Sequence, residues 1–188
     1  MNLTGIWEVA VRLTQEVEVI GKSIFVMALV LFSMPAMGEE WDIETSDDSV
    51  IAAITGNITY GERQRFVFTR GNCKSVNHIF STYSEKAANF KTLEGAVLAI
   101  EFNGEFIGAE LIYSKKAMSG HLLMFNLGTY DKDVLLNHLK TNEIISIKFV
   151  DGNGHKATDY FDVPYNEWSI SGITKTFLKA YEACSSPR

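Results

Sequence analysis

A chain of 188 residues, 46% hydrophobic and 21% charged, has the composition of one globular domain with a real core, and it lacks the low hydrophobicity and high charge of a disordered protein. Its net charge is −6, and its Lys and Arg residues are scattered rather than gathered into a stripe. A phosphate-neutralising surface is therefore excluded, and nucleic acid is not expected as a partner.

Residues 24–32 read Ile-Phe-Val-Met-Ala-Leu-Val-Leu-Phe, with Lys22 before them and Ser33-Met34-Pro35-Ala36-Met37-Gly38 after them. Charge, a short apolar run, a helix-breaking proline and small residues at −3 and −1 are the pattern of an export signal. Cleavage is expected between Gly38 and Glu39. A membrane anchor is the alternative, but spanning the ~30 Å hydrocarbon layer takes about 20 apolar residues, and this run meets Pro35 and then Glu39-Glu40 first. No Cys stands at the cleavage point to carry a lipid. The expected organisation is therefore an N-terminal extension plus cleaved signal peptide over 1–38 and a single β-rich domain over 39–188, with no stable membrane span after cleavage. Upstream of the signal, Glu8, Glu16 and Glu18 outweigh Arg12, unlike the positive segment that normally begins one. Translation starting near Val17 or Val19 would explain this, and an unprocessed precursor beginning at Met1 would refute it.

From Trp41 onward the periodicity is that of strands: short alternating runs rich in Ile, Val, Phe, Thr and Tyr between Gly, Asn and charged turns. Strands are expected near 41–45, 49–56, 64–70, 75–83, 95–103, 105–114 and 120–127. Asn103-Gly104 supplies the two positive-φ residues of a type I′ turn, so 95–114 is read as a hairpin central to the sheet. Residues 129–140 begin acidic, end in Lys140 and place Val134, Leu135 and Leu139 on one face, which predicts a helix. A strand over 144–150 follows, and Asp151-Gly-Asn-Gly154 is expected to turn it into a partner strand near 155–162. The last helix should start at Ser169 or Ser171 and pack a stripe of Ile170, Ile173, Phe177, Tyr181 and Cys184 on the sheet. Many strands with short connections predict a mainly β fold: an antiparallel β-sandwich or incomplete barrel with two short helices, the last at the C-terminus.

The only cysteines are Cys73 and Cys184. An even count in an exported chain favours one disulfide between them over two free thiols, closing a loop of about 110 residues for ~4–5 kcal/mol.

Motifs that carry chemistry are scarce. Gly21-Lys22-Ser23 ends like a phosphate-binding loop, but Glu16 stands where that loop needs glycine. His78, His121, His138 and His155 have no ligand spacing, so a base would have to converge in space, for instance His121 or His155 with Asp159 or Asp162. Asp151-Gly-Asn-Gly154 resembles the start of a calcium loop, yet Asp162 occupies the position of its closing Glu, and a tight turn accounts for it. Asn57-Ile-Thr59 matches a glycosylation sequon, which means little where the export signal looks bacterial. No catalytic residue, cofactor or metal is expected.

The C-terminal half carries a strand, an Asp-Gly turn, a strand ending Tyr160-Phe161-Asp162-Val163, then Trp168-Ser-Ile-Ser-Gly172 and a helix ending Tyr181-Glu-Ala-Cys184. Over residues 120–184 this order resembles the invasion-associated locus B type of small exported bacterial proteins. The resemblance implies a periplasmic β-sandwich without established catalytic residues, sometimes linked to host-cell association. The expected function is that of an exported, periplasmic or secreted, non-enzymatic binding protein whose partner is another envelope or secreted protein. A carrier of a small apolar ligand is the alternative, and a hydrolase built from dispersed residues comes third.

Overall fold

The computed structural model describes residues 40–56, 58 and 61–186. The export signal expected over 1–38, its expected cleavage junction Gly38–Glu39, Asn57 and Thr59 lie outside them. Glu39–Arg188 forms a compact unit of its own.

In chain order the elements are β1 (Asp42–Thr45), β2 (Ser49–Thr55), β3 (Arg63–Thr69), β4 (Ser75–Ser84), a 3-10 turn (Phe90–Leu93), β5 (Val97–Phe102), β6 (Glu105–Ala117), β7 (Gly120–Asp131), α1 (Lys132–Lys140), β8 (Ile144–Phe149), α2 (Ala157–Tyr160), β9 (Tyr165–Ser169) and α3 (Ile173–Ser185). Among the described residues the nine strands form one sheet in the order β1-β2-β3-β4-β7-β6-β5-β8-β9, every pair antiparallel. It is one curled sheet, a half-barrel, so of the two expected architectures the incomplete barrel is the one present.

Alternation makes the strands. Gln64, Phe66 and Phe68 of β3 point inward between half-buried Arg63, Arg65 and Val67, and Leu98, Ile100 and Phe102 do the same in β5. Two register shifts, at His78/Ile79 between β4 and β7 and at Leu111/Tyr113 between β6 and β7, bend the longest strands and increase the curl. Asn103 and Gly104 both take positive φ, 48° and 85°, and close the β5–β6 hairpin on the pair Phe102–Glu105. That hairpin is interior to the sheet, between β7 and β8, rather than at its centre.

The concave face is filled with aromatic rings. Below α3, Phe177 meets Phe68 and Phe66 edge-on at 4.9 and 5.8 Å, and Phe66 stacks on Trp41 at 5.5 Å. Elsewhere on that face, Phe80 stacks on Phe125 at 5.0 Å and Phe149 on Phe161 at 3.6 Å. α3 lies against β1, β2 and β3, and the Trp41 indole donates to the Ser169 carbonyl at 3.0 Å, joining the chain entering β1 to the last residue of β9. Cys73 and Cys184 are disulfide-bonded with Cα atoms 5.9 Å apart, and Arg70 donates to the carbonyls of Ala183 and Cys184 at 2.9 and 3.5 Å.

Four expectations about these elements are corrected. The segment 155–162 is not a strand: Gly152 and His155 bridge directly across the turn, Asp151 accepts from the Ala157 amide at 2.9 Å, and α2 begins there. This lets Phe161 reach Phe149, and the partner of β8 is β9, which begins only after Phe149 donates to the Pro164 carbonyl. α3 starts at Ile173 behind Gly172 (φ 82°), not at a serine cap, because fully buried Trp168 pairs with Ile145 and holds Ser169 in strand β9. There are three helices among the described residues rather than two, and 129–131 belong to β7, with the Asp131 side chain capping α1 through the amides of Asp133 and Val134.

Candidate functional site

α1 is held on the sheet by Leu135, Leu136 and Leu139. Val134, expected on that buried face, is 63% exposed, and with His138 one turn later it forms the flank of the helix that looks toward the β5–β6 hairpin. Between them lies an apolar cleft of about 170 Å³, lined by Phe102, Glu105, Ile107, Tyr130, Val134, Leu135 and His138.

Each wall has a local cause. Phe102 and Glu105 flank the Asn103-Gly104 turn, so the hairpin tip ends at the cleft. The tip is fixed from behind, because the Asn103 side-chain oxygen accepts from the Ser146 amide at 2.7 Å and from its hydroxyl at 3.3 Å. Tyr130 donates its hydroxyl to the Leu127 carbonyl at 2.8 Å, and burial raises its pKa above the ordinary value. The His138 ring stacks on Phe102, centroids 5.7 Å apart, and its Nε2 is buried without a hydrogen-bond partner.

On the other side of Phe102 stands His78, fully buried, with its ring 5.3 Å from Phe102 and its Nε2 2.8 Å from the Gln64 side-chain oxygen. Burial, then the nearby His138, push its pKa down to about 3. The imidazole is therefore neutral, and Nε2 carries the proton it gives Gln64. Rings follow in the order His78, Phe102, His138, from the core to the cleft.

The remaining histidines are elsewhere. His121 packs against the Phe90 ring at 5.0 Å, and His155 Nδ1 is 3.4 Å from the Tyr160 hydroxyl. Asp162 accepts from the Glu85 amide, Asp159 is exposed, and among the described residues none of the four histidines is ion-paired to a carboxylate. The pairings expected of a dispersed hydrolase site are not brought together by hydrogen bonds. In the 151–154 turn, Asp151 caps α2 and Asn153 donates to the Val97 carbonyl, and no cluster of three or more His, Cys, Asp or Glu suited to a metal occurs among the described residues.

The cleft has no signature in the sequence. His78 is traceable as an inward position, since it alternates with Val76 and Phe80 in β4, but its neighbour Gln64 comes from β3 and carries no local signal. Among the described residues no helix is long and apolar enough to cross a membrane. No family model, curated protein or solved structure matches the chain.

Proposed function

We propose that this chain is an exported, non-enzymatic binding protein of the periplasm or the medium that holds another envelope or secreted protein through the cleft between α1 and the β5–β6 tip. The observation that carries the reading is the size and lining of that cleft. Sites for drug-sized small molecules span roughly 300–1,000 Å³, whereas this one measures about 170 Å³ and has an exposed apolar lip at Val134. One anchoring side chain fills such a space, which is how protein interfaces concentrate their energy. A larger cleft of about 420 Å³ lies between the chain entering β1 and the start of α3, but Glu40, Lys175, Thr176 and Lys179 are in its lining, which does not suit the small apolar ligand of a carrier. The Cys73–Cys184 bond is compatible with an oxidising compartment, and the export pattern and the resemblance of 120–184 to invasion-associated locus B proteins support the same reading.

The test is capture from envelope extract and culture supernatant by the intact, oxidised chain, with Val134→Asp alongside. A partner retained stoichiometrically by the unmodified chain and lost with Val134→Asp is the expected result. Equal retention by both removes the cleft from the interface. Phe106→Ser, on the opposite face of the hairpin where Phe106 is 76% exposed, is the control expected to leave retention unchanged.

A further inference from the structure

We infer that Asn153 is a site of spontaneous deamidation, and that the fold protects Asn103, the other asparagine of this chain that precedes a glycine. The reaction needs no enzyme and no partner, so it stands apart from the function proposed above.

The chemistry is local. The Gly154 amide nitrogen attacks the side-chain amide carbon of Asn153, the bond from that carbon to Nδ2 breaks, and Nδ2 leaves as ammonia with the proton that the glycine nitrogen gives up. Water then opens the resulting cyclic imide at either carbonyl. One opening leaves aspartate, and the other leaves isoaspartate, with the backbone rerouted through the side chain. Glycine permits the attack because it carries no Cβ to hinder the approach. The two Asn-Gly pairs are alike in backbone: the asparagines take φ 48° at Asn103 and 53° at Asn153, and the glycines follow at 85° and 79°.

Their side chains differ. To reach the Gly104 nitrogen the Asn103 side chain has to turn, and its oxygen then gives up the Ser146 amide at 2.7 Å and the Ser146 hydroxyl at 3.3 Å. The Nδ2 that would leave is buried. The Asn103 backbone amide also donates to the Ser146 carbonyl at 3.0 Å, which ties this turn to β8. Asn153 is exposed, and its side chain is held among the described residues by one hydrogen bond, from Nδ2 to the Val97 carbonyl at 3.1 Å. The turn around it is closed by an isolated bridge between Gly152 and His155. An exposed turn of this kind opens at less cost than a hairpin inside a sheet. Conversion replaces the Nδ2 donor with a carboxylate facing the Val97 carbonyl, so the turn that leads into α2 loses this tie to β5.

The experiment holds the intact, oxidised chain in mildly alkaline buffer, samples it over days and locates amide-to-acid conversion by peptide mass spectrometry. Asn153 is expected to convert about tenfold faster than Asn103 or more, the effect of one net hydrogen bond on a barrier, with isoaspartate among its products as the mark of the imide route. In urea with reductant the two sites should convert at similar rates, because nothing then holds Asn103. Equal rates in the folded chain, faster conversion at Asn103, or no conversion at Asn153 overturns the inference. So does a ratio that persists in urea, since neighbouring residues rather than the fold would then set it.

Discussion

Gly104 and Gly120 show two different reasons for glycine, and they predict different costs. Gly104 takes φ +85°, and a Cβ added there would have no atom within 4 Å, so Gly104→Ala meets only the left-handed backbone penalty of about 1–2 kcal/mol. At Gly120 a Cβ would sit 2.1 Å from the Ser84 carbonyl oxygen, where the obstacle is backbone that cannot rotate away. Urea unfolding should therefore show a lowered midpoint with unchanged slope for Gly104→Ala, and a clearly larger loss for Gly120→Ala. His78 gives a prediction in pH. Its folded pKa, about 3, is below the ordinary value near 6.5, so between those limits the unfolded chain binds a proton that the folded chain does not. Stability is then flat above the ordinary value and falls on acidification through the window down to about 3, with a limiting slope of ~1.4 kcal/mol per pH unit from this one group. Carboxylates titrate in the same range, so the measurement is a difference: urea stability from pH 7 to pH 4, with a shallower fall expected for His78→Phe than for the unmodified chain. Parallel curves would show that the imidazole takes up its proton without unfolding. The inward position of His78 is legible in the sequence from its alternation with Val76 and Phe80, but its complete burial is not, because the groups that bury it come from β3, β5 and β7.

Elements are legible where the deciding chemistry is local. Asn103-Gly104 specifies its own turn, and the alternation of β3 and β5 gives their inward faces without knowledge of the partner strands. Where tertiary contacts decide, the local signal misleads. Asp151-Gly-Asn-Gly154 is a good turn, but the chain leaving it is drawn away from β8 by the Asp151 cap and by Phe161 stacking on Phe149. Ser169 is a good helix cap by type, yet Trp168 beside it belongs to the core and extends β9 through the serine. The stripe of α3 is legible at Ile173, Phe177 and Cys184, because a helix face repeats whatever residue begins it. That stripe is held at its far end by the Cys73–Cys184 bond and by Arg70 on the last carbonyls. The bonded cysteines are 111 residues apart, a loop for which chain entropy gives about 4–5 kcal/mol. Cys73→Ser with Cys184→Ser should lower the stability by up to that amount. Arg70→Ala in the oxidised chain should cost less, because the covalent link still holds the helix end. Thermal unfolding of the two variants, with and without reductant, distinguishes them: reductant should matter for Arg70→Ala and leave the double serine variant unchanged.

At the scale of the molecule, a curled sheet that does not close has two edges to protect. β1 does it by being four residues long and charged, with Asp42 and Glu44 both paired to Arg63 of β3, which leaves little regular edge for another strand to join. The other edge, β9, is tied to the first by the hydrogen bond from the Trp41 indole to the Ser169 carbonyl, while the ring of Trp41 stacks on Phe66 beneath α3. The two contributions of Trp41 can be separated. Trp41→Phe keeps an aromatic ring near Phe66 and removes the donor, so it should cost about 1 kcal/mol, the net worth of one hydrogen bond. The loss should be local, because the interior pairs β3–β4, β4–β7 and β6–β7 do not depend on this tie. Hydrogen exchange followed by mass spectrometry is therefore expected to quicken in β1 and at the end of β9 together, with β4 and β7 unchanged. Faster exchange in β1 alone would mean that β9 is held by β8 without help from the other edge. Uniformly faster exchange would mean that the tie stabilises the whole curl, and that the half-barrel behaves energetically as a closed one.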